Sequence, residues 1–570
     1  MSERTATWDP PGPGEWEYDG SHSPPAPTPV FRHVSSRSAE EAYRWVFETY
    51  GGPLDTIEMR FVNGKTYRRL VPLVGADRGG SPPPGPILWA AARLHPAFRR
   101  RERTAKRTLE EGTFLEPIDH WDSTERQEWI DANRRLQAEP LDGLDDAAMA
   151  DHVERVVAHN LAGWTRHHQL HGTDMGPLGD LLAHTGRWGL DPVAVMGLLQ
   201  GRSPATVEAA GHAAAIAKAM LDAGRDPAAV DGLDDVRSVG GEVGRRLDAY
   251  LLDFGWRLVS SYDIEGLTVG ELPGGTAAMI RSAGARLAAG FDGGGTTSTD
   301  PVETGERELR DRVPAADRAD FDRLLDHARR AYGLRDDNGP LTAEWPMGLV
   351  RRAYLESGRR LAAGGRITEP DRVFELDGPE LVALLRSGTG PTAAELDERA
   401  EHRRWEATLV APDRLGPSFD PPSPGLLPPG LRRTVEAIEA AVSMLEPEPG
   451  DRQRLSGLGI GEAAVIGRAR VATTPEDVLQ TLGDGDILVA AWTAPTYNAV
   501  LAAVAGVVVQ EGGLLCHAAV MARELGIPAV VGAAEAMTTI ADGDRIEVDP
   551  VSGTVRVLEP AGWSASDGAS

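Results

Sequence analysis

Residues Glu511 to Gly532 read EGGLLCHAAVMARELGIPAVVG, and this stretch decides how the C-terminal part of the chain folds. The apolar run Val507–Val509 leads into Gly512-Gly513. Paired glycines let a backbone turn sharply and come close to a ligand. A good helix-forming run, AAVMAREL, follows His517; Gly526 is placed to end it, and Pro528 prevents its continuation. The pattern predicts a buried strand, a tight turn and a helix over about 517–525 that starts at His517. Free amides and the positive dipole end favour an anion there. A neutral imidazole in that setting is a nucleophile suited to carrying a phosphoryl group. Taken alone, Gly-Gly-x-x-x-His more often marks a histidine that merely caps a helix.

Outward from this stretch, residues 457–558 hold short β-rich runs: AAVIGRARVA, DILVAAW, AGVVVQE, IPAVVGA, DRIEVD and TVRVLE. Gly and Asp turns separate them. They predict a compact α/β domain over 455–558, with a tail at 559–570. Residues 411–430 contain seven prolines and three glycines, a semi-rigid linker composition. A short helix over about 431–445 completes a linker region of 411–454. Residues 31–410 read as mostly helical. Phe321, Leu324, Leu325, Ala328 and Tyr332 share one helix face, and Ser203-Pro204 opens another helix with Ser as N-cap. A hairpin interrupts this pattern at 55–73, turning at Asn63-Gly64. Residues 1–30, with seven prolines, read as an extended arm.

The chain has 570 residues and a formal charge of −27, which argues against general affinity for nucleic acid or anionic membranes. Its longest apolar run, Ala499–Val509, is too short to span a bilayer. No apolar signal-peptide core follows the N-terminus. Cys516 is the single cysteine, so an intrachain disulfide is impossible and a reducing compartment fits. These features lead us to expect a cytoplasmic, soluble protein. Lysine occurs three times, at Lys65, Lys106 and Lys218, so lysine-assisted sites have few candidates.

The segment 511–532 resembles the phosphohistidine domain of the phosphoenolpyruvate-utilising enzymes. The matching residues are Gly512, Gly513, His517, Ala518, Ala519, Ala522, Arg523, Glu524, Gly526 and the run Ile527–Gly532. Upstream, DILVAAWTAPTYNAVLAAVAGVVVQ also fits, and DGDRIEVDPVSGTVRVL looks like the closing hairpin. The resemblance implies a swivelling β/β/α domain in which His517 is phosphorylated, within a loop and helix that include Gly512, Gly513, Cys516, Ala518 and Arg523. Cys516 stands where the family commonly has Ser or Thr, and Leu515 where some members have a regulatory threonine. Ile460-Gly461-Glu462-Ala463 replaces the usual Ala-Ser-Pro-Gly at the first turn.

Segments of 1–410, among them LLQGRSPATVE at 198–208 and YGLRDDN at 332–338, are similar to the substrate domain of rifampin phosphotransferase-like and phenylphosphate synthase-like proteins. The expected whole is a multidomain α+β chain: a mostly helical acceptor domain with a small N-terminal β element, then the swivel domain. No segment resembles the ATP-grasp nucleotide domain, no P-loop is present, and no pyruvate-handling barrel follows His517. The resemblance therefore implies a phosphotransferase component that relays phosphate to a small hydroxyl-bearing acceptor. A separate ATP-grasp subunit would charge it and would hold ATP with Mg; no cofactor or metal is expected on this chain. The competing reading is a non-catalytic ligand-sensing or docking module that keeps the swivel fold.

Further site candidates lie outside the histidine segment. Arg335 matches an arginine of the acceptor site and could bind phosphate through its planar fork, or pair with Asp336 and Asp337 at the surface. The lysine expected four residues later is Gly339. Arg351 and Arg352 rank behind it. His167, His168 and His171 lie on a probable helix, with His167 and His171 on one face. They read as a structural cluster or, for His171, as a substrate-binding group or base for the acceptor hydroxyl. His22 has the same two readings.

Overall fold

The computed structural model describes residues 6–20, 23–75, 84–259, 261–288, 299–418, 422–445, 455–479, 481–483, 485–493 and 497–561. His22, parts of the proline-rich linker and the end of the tail lie outside these residues. Contacts group the chain into two interleaved units. The first comprises Met1–Asp180, Ser261–Gly266 and Asn338–Ala437. The second comprises Leu181–Ser260, Leu267–Asp337 and Ile438–Ser570.

The first unit is mostly helical and carries one small sheet. Strands β1 (Trp16–Tyr18), β2 (Leu54–Val62), β3 (Lys65–Pro72) and β4 (Arg414–Leu415) pair in the order β2-β3-β1-β4. The β2–β3 hairpin turns at Asn63 and Gly64, both with positive φ, as an Asn-Gly turn between alternating apolar residues should. Two segments behave differently from the sequence reading. The proline-rich arm supplies β1, because Trp16, 1% exposed, packs against Tyr67 and Leu415. The linker supplies β4, whose Arg414 pairs with Glu17. Both differences come from pairing between segments far apart in sequence, which no local pattern reveals. Among the helices, Pro29–Tyr50 starts at Thr28, whose amide and hydroxyl donate to the buried Asp263 carboxylate at 2.7 and 2.6 Å.

The second unit joins helices to a seven-stranded sheet. Its strands are β5 (Leu458–Ile460), β6 (Val465–Ala472), β7 (Ile487–Ala490), β8 (Gly506–Val509), β9 (Ala529–Val531), β10 (Arg545–Asp549) and β11 (Thr554–Glu559), in the order β11-β10-β6-β7-β8-β9-β5. Strands β6 to β9 run parallel; β5, β10 and β11 are antiparallel to their neighbours. The central strands are apolar on both faces, as covered parallel strands must be. Ile487, Val489, Val508 and Val530 face Ile546, Val548 and Val555. Leu488, Ala490, Val507 and Val509 face Ala518, Ala519, Met521 and Ala522 of helix His517–Leu525. Each Val, Leu, Ile or Met side chain among them contributes about 1.5–3 kcal/mol when fully buried. The second core continues into Ala213, Ile216, Ala217 and Met220 of helix Pro204–Asp222. The sequence reading found all these strands except β5, and placed the helix at 517–525.

Helix Pro204–Asp222 begins at Ser203, but the serine hydroxyl does not cap it. It bonds Asp336 at 2.9 Å instead. No helix among the described residues is long and apolar enough to cross a membrane.

Candidate functional site

The site lies at the carboxyl ends of the adjacent parallel strands β7 and β8, where loops of an α/β sheet gather to bind ligands. After β8 the chain reaches Gly512, with φ at +114°. A Cβ there would sit 2.8 Å from both Cβ and Sγ of Cys516, so only glycine allows this turn. The turn is pinned by Cys516 N–H donating to Gly513 O (3.1 Å) and Leu515 N–H donating to Met444 O (3.0 Å). Helix His517–Leu525 then starts with Cys516 as N-cap, and Gly526 ends it in the left-handed conformation. Ala518 is fully buried and lets this helix lie flat against the sheet.

His517 is held from both sides. Its Nε2 lies 2.7 Å from Asn498 Oδ1 and its Nδ1 lies 3.1 Å from Thr493 Oγ1. An amide oxygen only accepts, so Nε2 carries the proton and Nδ1 accepts from the threonine hydroxyl. Burial pushes the imidazole down to about 3, and the positive charge of Arg335 adds to this. The ring is therefore neutral at physiological pH, with a lone pair on one nitrogen. Burial drives the neighbouring Cys516 thiol the other way, up to about 11, so it stays protonated and is no competing nucleophile.

Thr493 and Asn498 escaped the sequence reading as site residues. They sit in the segment after β7, twenty-four and nineteen residues before His517. The available signals are the resemblance of the whole segment DILVAAWTAPTYNAVLAAVAGVVVQ and their place beyond a buried strand that pairs with β8.

The remaining candidates fall as follows. Arg335 belongs to the second unit, within Leu334–Gly339, and its charge acts on both His517 and Cys516. Arg523 is buried, 7% exposed, and donates to Leu514 O at 3.0 Å and to Tyr332 Oη at 3.1 Å. His167, His168 and His171 belong to the first unit, on helix Asp146–Arg187. They form a ring cluster: His167 and His171 lie edge to face at 4.4 Å, and Trp164 contacts His167 and His168. His167 Nδ1 lies 2.6 Å from Asn338 Oδ1. Among the described residues no three His, Cys, Asp or Glu side chains are placed to share a metal ion. Arg351 and Arg352 hold the fold together: Arg351 donates to Ile264 O, and Arg352 to Gln137 O and Glu139 O.

Comparison with known proteins agrees with this geometry. Residues 482–553 match the family described as PEP-utilising enzyme, mobile domain. A rifampicin phosphotransferase of Streptomyces sviceus is 29% identical over 337 residues, 58% of this chain and 36% of that protein. Another, of Bacillus subtilis, is 31% identical over 266 residues, 44% of this chain and 27% of that protein. A chondramide synthase of Chondromyces crocatus is 31% identical over 330 residues, 55% of this chain but 8% of that protein. The chain spans about a third of the length of the first two rifampicin phosphotransferases it matches. Residues 482–553 thus carry the mobile domain of the PEP-utilising enzymes.

Proposed function

We propose that this chain is a phosphotransferase component in which His517 accepts a phosphoryl group and passes it to a hydroxyl of a small molecule. The observation that carries the reading is His517 itself: a neutral imidazole at a helix N-terminus, under the influence of the Arg335 cation. In the charging step a ring-nitrogen lone pair attacks the terminal phosphorus of the donor. The P–N bond forms, the P–O bond to the leaving nucleotide breaks, and its electron pair stays on that oxygen. In the second step the acceptor oxygen attacks phosphorus and loses its proton to a base. The P–N bond breaks and its pair returns to the ring. The helix amides and Arg335 stabilise the equatorial oxygens in both steps. Phosphorylation at either nitrogen displaces Thr493 or Asn498, so these two hold the uncharged ring in orientation.

Charging comes from a separate ATP-grasp subunit that binds ATP with Mg, and the acceptor is a hydroxylated small molecule. The relatives' printed activity makes rifampicin the first acceptor to try. His171 is assigned to acceptor binding. With such a donor protein and labelled ATP, the wild-type chain is expected to acquire an acid-labile, base-stable label. His517→Ala should acquire none. A mutant that labels as well as the wild type would remove the carrier role and leave the docking-module reading. Calorimetry on the isolated chain tests the donor assignment: micromolar ATP binding without a partner would contradict it.

A further inference from the structure

Helix His517–Leu525 is tied down at the end opposite His517, and every residue involved belongs to the second unit. Arg523 donates from one guanidinium nitrogen to Leu514 O and from the other to Tyr332 Oη. Its own carbonyl accepts from Gln200 Nε2 at 3.1 Å. The next residue, Glu524, is 6% exposed, and both carboxylate oxygens lie 3.1 Å from the Gly201 amide. Asp336 holds the same segment through the Ser203 hydroxyl. The carrier mechanism uses none of these bonds, yet the two from the Arg523 guanidinium are fully buried.

Their spacing gives them a purpose. Leu514 lies three residues before His517, and Tyr332 three residues before Arg335. One guanidinium therefore holds the loop that leads into the nucleophile and the helix end that leads into the cation. Arg523 lies six residues beyond His517, about 9 Å along the axis at 1.5 Å per residue, too far to touch a group on the ring. We propose that Arg523 and Glu524 are positioning residues: they clamp the far end of the helix to Gln200–Gly201 and Tyr332, and so seat His517 beside Arg335. The proposal rests on the reading of His517 as the phosphoryl carrier. An Arg fork suits the task because its two donors are fixed relative to one another, which a lysine cannot reproduce.

The test uses the full chain without donor or acceptor, so it is decided separately from phosphotransfer. The rate at which diethyl pyrocarbonate modifies His517 is followed by mass spectrometry, with His95 and His402 as internal controls. In the wild type the clamp keeps His517 slow to react. Arg523→Gln is expected to raise its rate tenfold or more. Tyr332→Phe, which removes a single oxygen, should raise it at least threefold, and Arg523→Lys should fall between wild type and Arg523→Gln. His95 and His402 should react as before. His517 rates within twofold of wild type in the folded variants would overturn the clamp. A uniform rise at every histidine would also overturn it, because it would show general unfolding rather than release of one helix. Should Arg523→Gln fail to fold, Tyr332→Phe decides. Once charging is established, Tyr332→Phe should slow transfer from phospho-His517 to rifampicin more than it slows charging.

Discussion

His517 opens a nine-residue helix and meets two polar side chains, Thr493 and Asn498. His167, His168 and His171 instead sit midway along a 42-residue helix and meet one another and Trp164. In the first region a single imidazole stands apart from other rings, kept neutral at the start of a helix. In the second, rings pack on rings, and one imidazole nitrogen is fixed by Asn338. An isolated neutral ring at a helix start can form and break a bond to phosphorus. A cluster of rings in a helix body can hold a planar or hydroxylated molecule but offers a phosphoryl group no amide cradle.

The largest expected effect separates the two regions. His517→Ala should lower phosphoryl transfer at least a thousandfold, since removal of a nucleophile leaves only binding effects. His171→Ala should leave charging of His517 unchanged and raise the KM for the acceptor several-fold. Steady-state kinetics beside a charging assay reads both. Equal losses in the two variants would erase the contrast.

The next effect is in pH. The folded-state imidazole of His517 lies below its ordinary value, at about 3. Its contribution to stability is full above about 6.5 and is lost as pH falls from there toward 3. Glu524 is raised to about 7, chiefly by burial, with the Asp336 charge adding to it and Arg523 and the Gly201 and Arg202 amides opposing it. Its contribution is present below about 4.5 and is lost as pH rises through 7. Charging rate should therefore stay flat from pH 5 to 8, where an ordinary histidine would lose activity below 6.5. Glu524→Gln should gain thermal stability over the wild type between pH 5 and 8. An imidazole that titrates near 6.5 by nuclear magnetic resonance would contradict the first expectation. A wild-type advantage that grows with pH would contradict the second.

Smaller effects concern the turn. Gly512→Ala forces a Cβ into a positive-φ position and against Cys516, and should cost about 1–3 kcal/mol in thermal unfolding. Cys516→Ser replaces a weak N-cap by a strong one. It should add about 0.5–1 kcal/mol and leave transfer intact.

Local chemistry made the histidine helix legible: glycines before it, helix formers within it, Gly526 and Pro528 after it. The hairpin turn at Asn63-Gly64 was legible for the same reason. Contacts between distant segments were not. Strand β5 has three residues and exists because Leu458–Ile460 pairs with β9, some seventy residues away. Ser203 has the residue type and position of an N-cap, but Asp336 takes its hydroxyl. Thr493 and Asn498 lie within DILVAAWTAPTYNAVLAAVAGVVVQ, whose resemblance marks the segment but not these two side chains; parallel pairing of β7 with β8 brings them to His517. Arg523 stood out as part of a motif, while its partner Tyr332 looked like one more apolar residue on a helix face.

The most direct test is a pulse and chase. The chain is charged with labelled ATP by an ATP-grasp donor protein, freed of nucleotide, and mixed with rifampicin. Label is expected on His517 before the chase and then, mole for mole, in an ester on the acceptor. Label on any other residue, or label that leaves His517 only as inorganic phosphate, would contradict this expectation.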